Sequence, residues 1–155
     1  PIFARYIKRE YNLLIGERTA EALKIEVGTA FPGNLNAEME IRGRDMVSGL
    51  PRSLRANSQH VLEAIEEPLE AIVSCVRHVL EITPPELAGD IIDHGIILTG
   101  GGAMLNGLDK MLTQETGVNV YLADDPIACV ALGTGKALEQ LDKIQHTLIS
   151  PKRLA

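Results

Sequence analysis

Tryptophan is absent from these 155 residues, and three Tyr and two Phe bring the aromatic share to only 3%. A core must then be packed from Leu, Ile, Val and Ala. Cysteine is almost as scarce: Cys75 and Cys129 stand alone, each inside an apolar helical pattern. That predicts reduced, buried thiols in a cytoplasmic protein rather than a disulfide framework. Positive charge is outnumbered, with 15 Lys and Arg against 21 Asp and Glu for a formal net charge of -6. Its few clusters are pairs such as Lys8-Arg9 and Lys152-Arg153, too sparse to follow a phosphate backbone, so nucleic acid is excluded as a partner. No apolar run approaches the roughly 20 residues of a membrane span, and no signal-peptide pattern opens the chain. The histidines His60, His78, His94 and His146 are scattered and lack zinc-site spacing, so no metal site is expected. There is no Walker lysine motif, and the glycines lack GxGxxG spacing.

What the chain does have is glycine in one telling place. Gly95-Ile-Ile-Leu-Thr-Gly-Gly-Gly-Ala-Met-Leu105 reads as a buried strand, a turn without side chains and a helix start. Such a turn lets a flat ligand lie against bare backbone. A third of the chain carries this strand-helix-strand-helix pattern: Leu108 to Glu115 closed by Gly117, a strand from Val118 to Leu122, and a last helix opened by Asp125 as cap and Pro126 at its first position. Gly133-Thr134-Gly135 lets that helix pack closely or bend. Asp124 and Asp125 could hold a metal or act as an acid-base pair, but a cap before proline explains them more simply.

The first two thirds are different. Pro1 stands where an initiator Met would be expected, and Phe3, Ile7 and Tyr11 already keep helical spacing with Tyr6 beside them, which reads as a cut inside a larger protein. Glu17 to Val27 forms a second helix stopped by Gly28. Between Asn34 and Asn57 the period becomes two: Met39, Ile41, Met46, Leu50 and Leu54 alternate with charges, giving two short half-exposed strands around a loop. Ser58 then caps a long helix with Leu62, Ile65, Leu69, Ile72, Val76 and Val79 as its apolar stripe, which Pro68 should kink or split. Thr83 and Glu86 have capping-box spacing for a short helix that includes Leu87 to Ile92.

Five blocks together resemble the C-terminal half of MreB-type bacterial actin homologues: Glu10 to Glu21, Lys24-Ile25-Glu26-Val27-Gly28, Gly49-Leu50-Pro51-Arg52, Pro84-Pro85-Glu86-Leu87, and Gly95 to Leu105. Five blocks in the family's order are far more specific than one glycine motif. The resemblance implies an α/β, actin-like ATPase fold of the ribonuclease H-like kind, of which this chain is the second large domain with an inserted α+β outer subdomain. Residues 1–16 would supply the first helix of the inner subdomain, 17–83 the outer subdomain, 84–145 the inner subdomain with the glycine turn, and 146–155 a tail. Two alternatives stay open: the ATPase domain of an Hsp70-type chaperone or sugar kinase, and a small complete α/β ligand-binding domain.

The resemblance also implies ATP as ligand, with Mg²⁺ and the catalytic groups held mainly by sequence outside this chain, so that the chain alone should not hydrolyse ATP. Gly100, Gly101, Gly102, Ala103 and Met104 would line the adenosine side. Glu17 would accept from the ribose hydroxyls, with Arg18, Thr19, Ala20 and Glu21 alongside. By spacing alone Glu17, Glu21 and Lys24 are equally a solvated face with ordinary ion pairs. Implied partners are further copies of the chain in a head-to-tail filament, through the segment Met39 to Arg52, together with wall-synthesis and cell-shape proteins. The implied location is the cytoplasm at the inner face of the membrane, with membrane contact only through the other half.

Overall fold

The computed structural model describes residues 2–34 and 37–141, with the tail expected at 146–155 lying outside them. Among the described residues six α-helices and five strands follow one another as α1 (Ile2–Tyr11), β1 (Leu13–Leu14), α2 (Glu17–Val27), β2 (Glu38–Asp45), β3 (Pro51–Asn57), α3 (Ser58–Ile82), α4 (Pro85–His94), β4 (Ile96–Leu98), α5 (Leu108–Thr116), β5 (Val120–Leu122) and α6 (Cys129–Glu139). An antiparallel sheet runs β1-β2-β3, and a separate parallel pair joins β4 to β5. Only the parallel pair needs a crossover, which α5 supplies.

The core gathers where α1, α2 and α3 meet the antiparallel sheet. Phe3 and Ile7 of α1, Leu23 and Val27 of α2, Ile41 of β2 and Ala56 of β3 are all buried there. Along β2, Met39, Ile41, Gly43 and Asp45 turn inward while Glu38, Glu40, Arg42 and Arg44 face out, the alternation expected of a half-covered sheet. Gly43 is required by this pairing. A Cβ there would stand 2.3 Å from the Leu14 carbonyl oxygen of the neighbouring strand.

The hairpin departs from the expected pattern at its tip. Met46 and Leu50, read from sequence as strand positions, lie in the connecting loop and are 44% and 65% exposed, as is Val47 at 84%. The loop closes because Asp45 organises it: its Oδ1 accepts from the amides of Val47 and Ser48 at 2.9 and 2.8 Å and from the Ser48 hydroxyl at 3.1 Å. Arg52 Nη1 meets Asp45 Oδ2 at 2.6 Å, and Arg52 Nη2 donates to the Tyr11 carbonyl at 2.7 Å. A side chain that gathers local amides competes with the strand ladder and wins at turns.

The Ser48 amide first, then that of Val47, hold the Asp45 carboxyl below its ordinary value of 3.8, with Ser48 Oγ and Arg52 adding to them against the opposing effect of burial. A group depressed in the folded state stabilises above its unfolded pKa and loses that contribution as pH falls through the folded one. Asp45→Asn is therefore expected to lower the melting temperature at pH 7. The difference from the parent should shrink once the pH drops below 3.8; a gap that stays constant from neutral to acid pH would contradict the assignment.

The long helix keeps its predicted extent but shifts its face and its cap. Val61, Ile65, Leu69 and Val73 are buried, whereas Ile72 and Val79 from the expected stripe are 42% and 52% exposed. The buried line from Val61 to Val73 is a four-residue repeat that winds round the helix by about 40° per step, unlike the predicted alternation of threes and fours. Asn57, not Ser58, is the N-cap: its side chain accepts from the His60 amide at 3.1 Å, while His60 Nδ1 accepts from the Asn57 amide at 3.2 Å. Ser58 instead points its hydroxyl at the Ala37 carbonyl. Pro68 does not split the element, which remains one helix of 25 residues. Burial of Val61 and Ile65 before Pro68, and of Leu69 and Val73 after it, holds both sides in register. Thr83 ends α3, its hydroxyl donating to Val79 O at 2.7 Å, so it forms no capping box with Glu86.

The C-terminal third is more open than its sequence predicts. Ile96 and Leu98 are half-buried and Ile97 is 65% exposed, so β4 is not a buried strand. Ile96 and Val120 share the face covered by α5, while Ile97 and Tyr121, paired in register, share the bare one. Val118, expected in β5, precedes it. The last helix starts at Cys129 rather than Pro126. Asp125 Oδ1 accepts from the Ala128 amide at 3.2 Å and caps the turn before the helix. A Cβ at Gly133 or Gly135 would meet nothing within 4 Å, so neither glycine serves close packing among the described residues. Neither thiol is buried: Cys75 is exposed and Cys129 half-buried, and both are free.

Candidate functional site

The glycine turn is built on the end of β4. Gly100 has φ +84, a value open to glycine, and its amide donates to the Pro126 carbonyl at 2.6 Å, which ties the turn to the segment leading into α6. Gly101–Met104 then form one short 3-10 turn, with the Ala103 amide on Gly100 O and the Leu105 amide on Gly102 O, both at 3.2 Å. A helix does not follow at once, as the sequence predicted. Residues 105–107 intervene, and α5 opens only at Leu108.

Gly101 and Gly102, like Gly16, Gly89, Gly133 and Gly135, are free of the constraints that explain Gly95 and Gly107. Neither has positive φ, and a Cβ at either would meet nothing within 4 Å. By contrast, Gly95 has φ +80 and a Cβ there would stand 2.6 Å from Asn119 O, and Gly107 has φ +75 with Phe31 Cβ at 2.6 Å. Among the described residues, nothing in the fold asks for glycine at 101 and 102. Met104 beside them is 56% exposed.

The second predicted block begins α2. Glu17, Arg18 and Glu21 are exposed, Thr19 is half-buried, and Ala20 is packed in the core with its amide on Gly16 O at 3.0 Å. Glu21 pairs with Lys24 at 2.5 Å in the open, which is the solvated ion pair that spacing alone foresaw. Glu17, Glu21, Lys24 and Gly28 fall at i, i+4, i+7 and i+11, so they share one stripe of the helix. At the end of that stripe a Cβ on Gly28 would lie 3.2 Å from Leu105 Cδ1, immediately after the glycine turn. The next residues lock the junction: Thr29 bridges to Asn106, the Ala30 amide donates to Asn106 O at 2.7 Å, and Thr29 Oγ1 donates to Phe31 O at 3.0 Å.

The carboxylate face of α2 thus leads to the exit of the glycine turn. Among the described residues no hydrogen bond or ion pair joins the named residues of the two blocks; the segments meet at Gly28-Thr29 and Leu105-Asn106. Thr29 and Asn106 escaped the sequence reading, and Leu105 entered it only as the end of the glycine block, because a single bridge between segments far apart in sequence leaves no periodic signal. Two surface hollows lie elsewhere: a groove of about 920 Å³ beside α3 and one of about 510 Å³ beside β5, neither lined by the predicted residues. Among the described residues no three His, Cys, Asp or Glu are grouped to hold a metal ion, and no helix is long and apolar enough to cross a membrane.

The profile of the MreB/Mbl protein family matches residues 2–146. The chain belongs to the MreB/Mbl family. It is 57% identical over 145 residues to the cell shape-determining protein Mbl of Bacillus subtilis (strain 168), and 53% identical over 137 residues to the cell shape-determining protein MreB of Escherichia coli (strain K12). These alignments take in 94% and 88% of the chain but 44% and 40% of the two relatives, so the chain spans less than half the length of either. Among solved structures, MreB 5 of Spiroplasma citri bound to AMPPNP superposes with a TM-score of 0.85 at 36% identity, over 95% of this chain and 44% of that one. The same protein bound to ADP gives 0.86 over 94% and 44%. A MamK double helical filament, at 21% identity and a TM-score of 0.62 over 80% of this chain and 38% of its own, shares the fold alone. The fold is that of the actin-like ATPases, as the five blocks implied, and the chaperone and sugar-kinase alternatives fall away.

Proposed function

We propose that this chain supplies the adenosine-side wall of an ATP cleft in a filament-forming protein that determines rod cell shape by organising wall synthesis. The observation that carries this reading is the pair Gly101 and Gly102: bare backbone that the fold itself does not require, in a turn whose exit at Leu105 meets the C-terminal end of the helix that bears Glu17 and Glu21. A ligand approaching backbone is a physical reason for glycine at such positions. In this reading Glu17 accepts from ribose hydroxyls, Met104 lies beside the base, and Mg²⁺ is held by residues outside the chain. Supporting it, the solved relative MreB 5 carries AMPPNP in one structure and ADP in the other. Residues 17–83 would form the outer subdomain and 84–145 the inner one, and the protein would work in the cytoplasm at the inner face of the membrane.

Self-association is assigned to the hairpin tip. Val47 and Leu50 project into solvent from a loop held rigid by Asp45 and Arg52, and an exposed apolar knob on a stiff support suits a heterologous contact between copies. Arg52, grouped with Leu50 in the sequence reading, is engaged within the chain and would act by positioning the loop. In the full-length protein, Leu50→Glu is expected to cut the fraction sedimenting with ATP severalfold and to leave ATP affinity within about twofold of the parent. Equal loss of assembly and nucleotide binding would sink the separation of the two surfaces. Isothermal titration of ATP into the full-length protein and its Glu17→Ala variant tests the nucleotide wall; unchanged affinity would remove Glu17 from it.

A further inference from the structure

A groove of about 920 Å³ runs along α3 and is closed on its far side by α5 and by Phe31-Pro32. Leu62, Leu69, Val73 and Met111 give it an apolar floor, and its rim is strongly acidic. Glu63, Glu66, Glu70 and Glu81 fall at i, i+3, i+7 and i+18, within a narrow strip down one flank of α3, and Glu115 faces them from α5. The basic residues on the rim are Arg77 and His78, and Arg77 is already committed, to Glu115 Oε2 at 2.8 Å and to the Glu115 carbonyl at 2.7 Å. Glu66, Glu70 and Glu81 are exposed and form no ion pair among the described residues. Like charges three and four residues apart weaken a helix, so the strip carries a local cost that an opposing cationic partner would relieve.

We propose that this groove docks an amphipathic helix with a basic polar face, presented by another protein. The chemistry matches on two counts. The floor accepts apolar side chains at i, i+3/i+4 and i+7, and the carboxylates meet Lys or Arg flanking that stripe. The shape matches as well: from Gln59 to Glu81 the α3 wall extends about 33 Å, the length of a helix of roughly 20 residues. This inference is independent of the nucleotide cleft and of the hairpin contact, since none of their residues line the groove.

The test uses the full-length protein and a fluorescein-labelled synthetic helix of about 18 residues, with Leu on one stripe and Lys on the flanks, read by fluorescence anisotropy near physiological salt. Two companion peptides are measured beside it: a scrambled one of the same composition, and one with Glu in place of every Lys. The ordered Lys peptide is expected to bind about tenfold more tightly than its scramble. The double variant Glu66→Lys/Glu70→Lys should lose that binding and prefer the Glu peptide, while Glu67→Lys, exposed on α3 but outside the groove, should bind as the parent does. Absence of binding, equal binding of ordered and scrambled peptides, or a double variant indistinguishable from Glu67→Lys would each overturn the proposal.

Discussion

Gly101→Val and Gly102→Val, each made in the full-length protein, are expected to weaken ATP binding by about tenfold or more while leaving the melting temperature within about 2 °C of the parent. The two halves of this expectation rest on the same geometry. A Cβ at either position meets nothing within 4 Å and neither backbone has positive φ, so the fold accommodates the side chain. A ligand lying against that backbone does not. Gly100 provides the contrast, since its φ of +84 disfavours any L side chain and Gly100→Ala should cost stability of about 1–3 kcal/mol irrespective of ligand. Titration calorimetry and thermal unfolding on the same preparations separate the two. Unchanged ATP affinity in both valine variants would remove the glycine turn from the nucleotide site.

Gly28→Ala should behave in the opposite way, lowering stability by about 2–3 kcal/mol in thermal or urea unfolding. Its Cβ would stand 2.1 Å from the Lys24 carbonyl oxygen and 3.2 Å from Leu105 Cδ1. The first is backbone and does not yield cheaply, so either the Gly28 amide releases Lys24 O, now at 3.1 Å, or the last turn of α2 moves off Leu105. Both responses disturb the junction that aligns the carboxylate stripe with the glycine turn, and ATP affinity should fall with stability. Gly89→Ala is the control: this glycine sits exposed inside α4 with open space around its Cβ, and alanine there should stabilise by about 0.5–1 kcal/mol. A Gly28→Ala protein as stable as its parent would show that the end of α2 relaxes freely, and the junction would lose its role.

The elements most legible in the sequence were those whose ends carry their own chemistry. The bounds of α2 agree with the reading from Glu17 to Val27 stopped by Gly28, and α5 ends at Gly117 in the left-handed conformation as its C-cap requires. Even there the reason differs in part: Gly28 has φ -63 and is needed for proximity, not for a left-handed turn. Illegible were features fixed by partners distant in the chain. The buried face of α3 was misjudged at Ile72 and Val79 because an apolar residue can face either a core or open solvent with the same sequence signature. Ser58 was misjudged as a cap because Ala37 claims its hydroxyl, and Met46 and Leu50 were misjudged as strand because Asp45 gathers the loop amides.

The site divides along the same line. Local sequence alone marked the glycine turn and the acidic start of α2, because glycine and clustered charge at helix and strand ends are short-range signals. Five such blocks in order were enough to reach the family and its actin-like fold. The tertiary structure decided how the blocks relate: that the stripe of Glu17, Glu21 and Lys24, legible from spacing, meets Leu105 at its Gly28 end, and that Gly101 and Gly102 stand in open space. Those facts depend on contacts between residues some 77 positions apart, such as Thr29 with Asn106. Periodicity and propensity report what a segment does with its neighbours in the chain. Which segments face each other is set by burial and by distant hydrogen bonds, and only the folded chain contains that information.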